Sequence, residues 1–156
     1  HFVYNNVGPY LAGILVQRRA GCDLVSYLTP RFFSHLGIKS PTWETDPLRN
    51  SFGAGGLFLT LSELHKFGMF YLNQGTWNGK QLLDSEWIKE STRQQVDAPY
   101  GYLFWRGNYN SYRADGKYCQ ISMILPEKQV VITTMAECRQ ADLFMQALYE
   151  CICKEL

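Results

Sequence analysis

Between Val7 and Leu15 the apolar residues Val7, Tyr10, Leu11, Ile14 and Leu15 recur at i, i+3, i+4, i+7 and i+8, and Gln17, Arg18 and Arg19 follow them. That period predicts an amphipathic helix over residues 6–20, stopped by Gly21. Asp23 is placed to cap a second helix, and Thr29-Pro30 restarts it at a first-turn position where the missing proline donor costs nothing, before it ends at Leu36-Gly37. The period is lost over residues 38–59, which hold Pro41, Pro47 and the run Gly53-Ala54-Gly55-Gly56. This region is expected to be loop and to line a cleft. Thr60-Leu-Ser-Glu63 is a capping box, so a helix is expected from there to about Asn73, burying Leu61, Leu64, Phe67 and Tyr71. Gly75 to Gly79 is turn chemistry, and Asp84 or Ser85 caps a short helix carrying Trp87 and Ile88.

From residue 100 the period shortens to two. Tyr100 to Arg106 and Tyr109 to Ala114 read as strands, and Cys119, Ile121, Met123 and Leu125 alternate with Tyr118, Gln120, Ser122 and Ile124. Pro126-Glu127-Lys128 turns the chain, and Val130 to Met135 is a β-forming run that returns antiparallel. A final helix over 141–154 places Leu143, Phe144, Ala147, Leu148, Cys151 and Ile152 on one face. Helices first, then an antiparallel meander with a covering helix, is an α+β class. Residues 1–156 are expected to form a single partial domain, with 1–99 mainly helix and loop and 100–156 strands and the last helix.

Composition narrows the partners. With 46% hydrophobic residues, 15% aromatic residues and no low-complexity tract, the chain belongs with globular proteins. A formal charge of +1 supplies no electrostatic case for nucleic acid or an anionic membrane surface. No apolar run approaches the roughly 20 residues of a membrane span. The five cysteines, Cys22, Cys119, Cys138, Cys151 and Cys153, show no zinc spacing and read as free thiols, which leans towards a reducing compartment. No spacing implies a metal or an organic cofactor.

The chemistry that stands out is Tyr4-Asn5-Asn6 at the mouth of the first helix. In such a Tyr-x-Asn arrangement the phenol can accept a proton and the carboxamide can hold a substrate amide. Five segments in series, FVYNNVGPYLAGILVQRRAG, FFSHLGI, GAGGLFLTLSELHKFGMFYLNQGTWNGKQLLDSEWIKEST, YGYLFW and YRADGKYCQISMILPEKQVVITT, resemble the serine β-lactamase and penicillin-binding-protein-like superfamily. The likeness is to the class C β-lactamase and esterase branch, through its C-terminal half, and it runs the length of the chain. It implies the C-terminal portion of a β-lactamase/transpeptidase-like fold and acyl-enzyme hydrolysis of an ester, amide or peptide-like substrate. Carried over by position, Tyr4 is general base and later acid, and Asn6 holds the substrate's carbonyl. Ser111-Tyr112-Arg113 falls on the third motif, Ala114 offers a backbone oxyanion donor, and Ser111, Tyr112, Arg113 and Gly116 are counted with it as substrate-binding residues.

The sequence departs from that pattern in two ways. The third motif lacks its usual Lys or His and its glycine, which removes the cation that binds a substrate carboxylate; Arg113 is the substitute charge at hand. No serine is followed three positions later by lysine, so the nucleophile motif Ser-x-x-Lys does not occur in these 156 residues. A phenol ionises near pH 10, so a tyrosine base depends on nearby positive charge, and in the resembled family that lysine is a principal source of it. The expectation is a chain that begins inside the second motif, depends on an N-terminal half of the same protein, and is silent alone. Two other readings stay open. One is a non-catalytic ligand- or partner-binding domain on the same fold. The other is an interaction module with an exposed sheet edge, prone to self-association.

Overall fold

A computed structural model describes residues 1–156. The chain forms two compact units, Phe2–Glu63 and Leu64–Leu156, and each is taken by itself. In the first, helix α1 (Val7–Ala20) ends at Gly21, whose φ of 69° is the left-handed stop its missing side chain permits. α2 (Leu24–Leu28) starts as expected on Asp23, whose carboxylate accepts from the Ser26 backbone N–H at 2.9 Å. It runs through a π-helical turn (Thr29–Phe33) into α3 (Ser34–Leu36). The wider turn carries Pro30, which has no N–H to give.

The buried face of α1 differs from the expected stripe. Gly13, Ile14 and Gln17 are buried, whereas Val7, Leu11 and Leu15 are 63%, 52% and 67% exposed. The reason lies in the 38–59 loop. A side chain on Gly13 would meet Gly53 at 3.2 Å, so two glycines allow loop and helix to touch. Gln17 then replaces the hydrogen bonds the loop lacks, donating to Ser51 O and accepting from Ser51 N at 2.7 Å. The loop has a minimal ladder of its own, β1 (Thr42–Trp43) against β2 (Leu57–Phe58), and the Trp43 indole N–H donates to Phe52 O and Gly55 O. At its end Thr60 and Glu63 exchange bonds as a capping box and open α4 (Leu61–Leu72).

In the second unit α4 buries Gly68, Phe70, Tyr71 and Leu72; Leu61, expected inside, is half exposed. A hairpin of β3 (Thr76–Trp77) and β4 (Lys80–Gln81) turns on Asn78 and Gly79, both at positive φ. α5 (Ser85–Thr92) is capped by Asp84 and buries Ile88 completely. The sheet has the order β5-β6-β7-β8, all antiparallel, from β5 (Trp105–Arg106), β6 (Tyr112–Gly116), β7 (Gln120–Leu125) and β8 (Val130–Thr134). β5 is shorter than the period suggests because Leu103, Tyr109 and Asn110 take positive φ and bend the chain on either side of it. β7 is central and buried on both faces, with Ser122 as inaccessible as Ile121 and Met123, so its alternation of side chains is not one of inside and outside.

α6 (Ala141–Ala147) passes into a second π-helical turn (Leu148–Cys153). The expected face assumes α-helical spacing, four residues from Leu148 to Ile152. The wider turn makes it five: Leu148 and Cys153 are buried, while Ile152 and Cys151 are exposed. No helix is long and apolar enough to cross a membrane.

Candidate active site

The first group of candidates lies in the unit Phe2–Glu63. Asn6 is the N-cap residue of α1 by position, yet its side chain makes no capping bond. Asn5 caps the helix in its place, with Oδ1 accepting from the backbone N–H of Val7 at 3.0 Å and of Gly8 at 3.1 Å and Nδ2 donating to Val3 O. One carboxamide thus satisfies two of the orphan donors at the helix start and pins the segment that leads in. The side chains on either side of it, Tyr4 and Asn6, are both exposed, Tyr4 by 50%. Motif spacing singles out Tyr4 and Asn6 and passes over Asn5, although an Asn two residues before a helix's first turn is itself a capping signal.

One turn along α1, Tyr10 donates its hydroxyl to Asp46 Oδ2 at 2.6 Å and packs against Phe52, ring centres 5.4 Å apart. Asp46 also accepts from the Asn50 side chain and from the backbone N–H groups of Asn50 and Leu48. These bonds, the Tyr10 hydroxyl foremost, bring the Asp46 carboxyl from its ordinary 3.8 to about 2. The same bond raises Tyr10 above an ordinary phenol. Asp46 and Tyr10 belong to no motif visible in the sequence, and they hold the Gly53–Gly56 loop to the helix that presents Tyr4 and Asn6.

The second group lies on β6 and just before it, in the unit Leu64–Leu156. Ser111 is buried, with Oγ 3.3 Å from the Tyr149 hydroxyl. Tyr112 is buried too, donating to Tyr71 O at 3.4 Å, and burial raises both phenols, Tyr71 to about 12. Such phenols stay neutral at physiological pH and act as packing. Arg113 Nε donates to Asp115 Oδ2 at 2.7 Å, and both side chains are largely covered. β5 pairs with β6 only at Tyr112 and Arg113, so Ala114, Asp115 and Gly116 form a strand edge on that side while β7 pairs with them on the other.

Comparison with solved structures shows the class of the fold: the helices and the antiparallel sheet are part of a β-lactamase-like fold. The chain superposes on a Bacillus anthracis protein assigned as a 6-aminohexanoate-dimer hydrolase with a TM-score of 0.86, at 22% identity, over 99% of this chain and 44% of that one. It superposes on a Bacteroides dorei protein assigned as a β-lactamase with a TM-score of 0.66, at 15% identity, over 87% of this chain and 51% of that one. At these identities the likeness is one of fold, and the chain spans about half the length of either neighbour. No protein-family model and no curated protein matches the sequence.

Proposed function

We propose that these residues form the Tyr-x-Asn side of the active site of a β-lactamase-like serine hydrolase that cleaves an ester, amide or peptide-like substrate through an acyl-enzyme. The observation that carries the reading is the division of labour at the helix mouth. Asn5 takes the capping bonds, and Tyr4 and Asn6 on either side of it are exposed residues at the start of the same helix. In this reading Tyr4 takes the nucleophile's proton and returns it to the leaving group, and Asn6 orients the substrate carbonyl. The Ala114 backbone N–H, on the strand edge that β5 leaves open, serves the oxyanion. Ser111, Tyr112 and Gly116 set the position and register of that edge.

The nucleophile is supplied by sequence outside these residues, which contain no Ser-x-x-Lys. The same reading accounts for the exposed stripe Val7, Leu11 and Leu15: the N-terminal part of the same protein covers it, and the 156 residues by themselves self-associate through it. The test is hydrolysis of p-nitrophenyl esters and of the 6-aminohexanoate dimer named for one neighbour. Activity in the protein extended at its N-terminus, lowered roughly 10²- to 10⁴-fold by Tyr4→Phe with the fold intact, supports the assignment. Unchanged turnover in Tyr4→Phe removes it.

A second reading, a non-catalytic ligand-binding domain, has one observation in its favour. Arg113, the substitute for the missing cation, has its Nε committed to Asp115. Saturable binding of a peptide-like ester product by the extended protein, with no turnover, would favour it over hydrolysis.

A further inference from the structure

The β6–β7 turn and the segment after β8 bring two thiols together. Tyr118 and Cys119 stand in succession at φ of 64° and 66°, where a residue with a side chain is uncommon. This backbone turns Cys119 inward: it is 2% exposed and packs with Ile121, Met123, Leu125, Leu148 and Cys153. The last residue of β8 and the segment after it hold it there. Thr134 Oγ1 donates to Cys119 O at 2.7 Å, and the Cys138 N–H donates to Tyr118 O at 3.2 Å. Cys119 Sγ in turn donates to Cys138 O at 3.7 Å, so the Cys138 peptide lies against the turn at both its N–H and its C=O. Cys138 is half-buried and packs on the same apolar cluster. Burial first, and then the neighbouring Cys138, raise the Cys119 thiol above its ordinary range.

We propose that Cys119 and Cys138 are a dithiol site that reacts with low-molecular-weight disulfides and closes to an intramolecular disulfide, tying the β6–β7 turn to the segment after β8. Cys138 is the more accessible of the two. Its thiolate attacks one sulfur of the small disulfide RSSR, forming a mixed disulfide and releasing RS⁻. The Cys119 thiolate then attacks the Cys138 sulfur, forming the Cys119–Cys138 bond and releasing the second RS⁻. The protein loses two electrons and two protons, and the small disulfide becomes two RSH. The bond closes the β7–β8 loop and fastens the end of β6, whose pairing with β7 runs to Gly116 and Gln120. The other cysteines lack this arrangement. Cys151 is exposed, Cys22 belongs to the other compact unit, and Cys153 enters the cluster from the last helical turn.

The experiment treats the folded protein with oxidised glutathione, alkylates the remaining thiols and maps tryptic peptides. Trypsin separates the two residues cleanly: Cys119 falls in the peptide Tyr118–Lys128 and Cys138 in Gln129–Arg139. The expected product is these two peptides joined by a disulfide, with free thiols falling from five to three and the melting temperature rising by roughly 5 °C. Cys138→Ser, a change at a half-buried position, abolishes the linked pair and leaves Cys119 alkylated only after denaturation. The same treatment in denaturant gives a mixture of pairings. The proposal is overturned if glutathione stops on Cys138 while Cys119 remains a thiol, if Cys119 is joined to the peptide Gln140–Lys154, or if neither thiol reacts while the fold is intact.

Discussion

At the scale of single residues, the three side chains of Tyr4-Asn5-Asn6 have separable roles, and substitution tells them apart. Asn5→Ala removes two hydrogen bonds to the first turn of α1 and is expected to cost about 1 kcal/mol of stability in denaturant titrations, with the chemistry of the site affected only through the helix. Asn6→Ala breaks no capping bond and is expected to change stability by less than about 0.5 kcal/mol while lowering turnover in the extended protein. The Tyr-x-Asn motif is legible from spacing, but the central Asn passes for filler there because its bonds go to backbone groups two and three residues on, which a motif does not display. Asp46 is a second residue whose part emerges only in three dimensions. Its folded carboxyl lies at about 2 against an ordinary 3.8, so the loop it holds gains stability above the higher value and loses it as pH falls through the lower one. Acid titration followed by Trp43 fluorescence should show this loop loosening between about pH 4 and pH 2. Asp46→Asn should be weaker at neutral pH and flat across that window.

At the scale of elements, the starts and stops are the most legible features. Asp23, Asp84, the Thr60–Glu63 box and Gly21 act where the sequence puts them, because capping is a local exchange between a side chain and the backbone beside it. Burial is less legible, for two physical reasons. An α-helical period cannot foresee a π-helical turn, which moves the inner position from Ile152 to Cys153. An apolar stripe also does not say whether anything covers it, and α1 instead buries a glycine and a glutamine that a polarity pattern discounts. Substitution checks the π-helical register directly. Cys153→Ser should destabilise by about 1–3 kcal/mol, since it places a hydroxyl in an apolar cluster, whereas Ile152→Ser should stay within about 0.5 kcal/mol. The reverse order would restore the α-helical face. Strand positions are legible for β7 and β8, where β-formers run unbroken. They are hidden for β5, whose flanking residues Leu103, Tyr109 and Asn110 adopt a conformation their side chains do not advertise.

At the scale of the whole molecule, the chain has part of a β-lactamase-like fold and spans about half of the solved structures it matches, with TM-scores of 0.86 and 0.66 at only 22% and 15% identity. Architecture rests on features that agree across levels, among them the helix caps, the turn residues and the buried run of β7. Function is encoded more sparsely, and in the proposed mechanism Tyr4 and Asn6 act on an acyl group carried by a serine outside His1–Leu156. Labelling with a fluorophosphonate probe followed by peptide mapping, on the 156-residue chain and on the N-terminally extended protein, tests this most directly. The expected result is no labelling of the short chain, stoichiometric labelling of the extended protein at a serine preceding His1, and a rate of labelling that Tyr4→Phe lowers by at least about 10²-fold. Labelling of a serine within His1–Leu156, or an extended protein that binds the probe's acyl analogue without ever being modified, would contradict it.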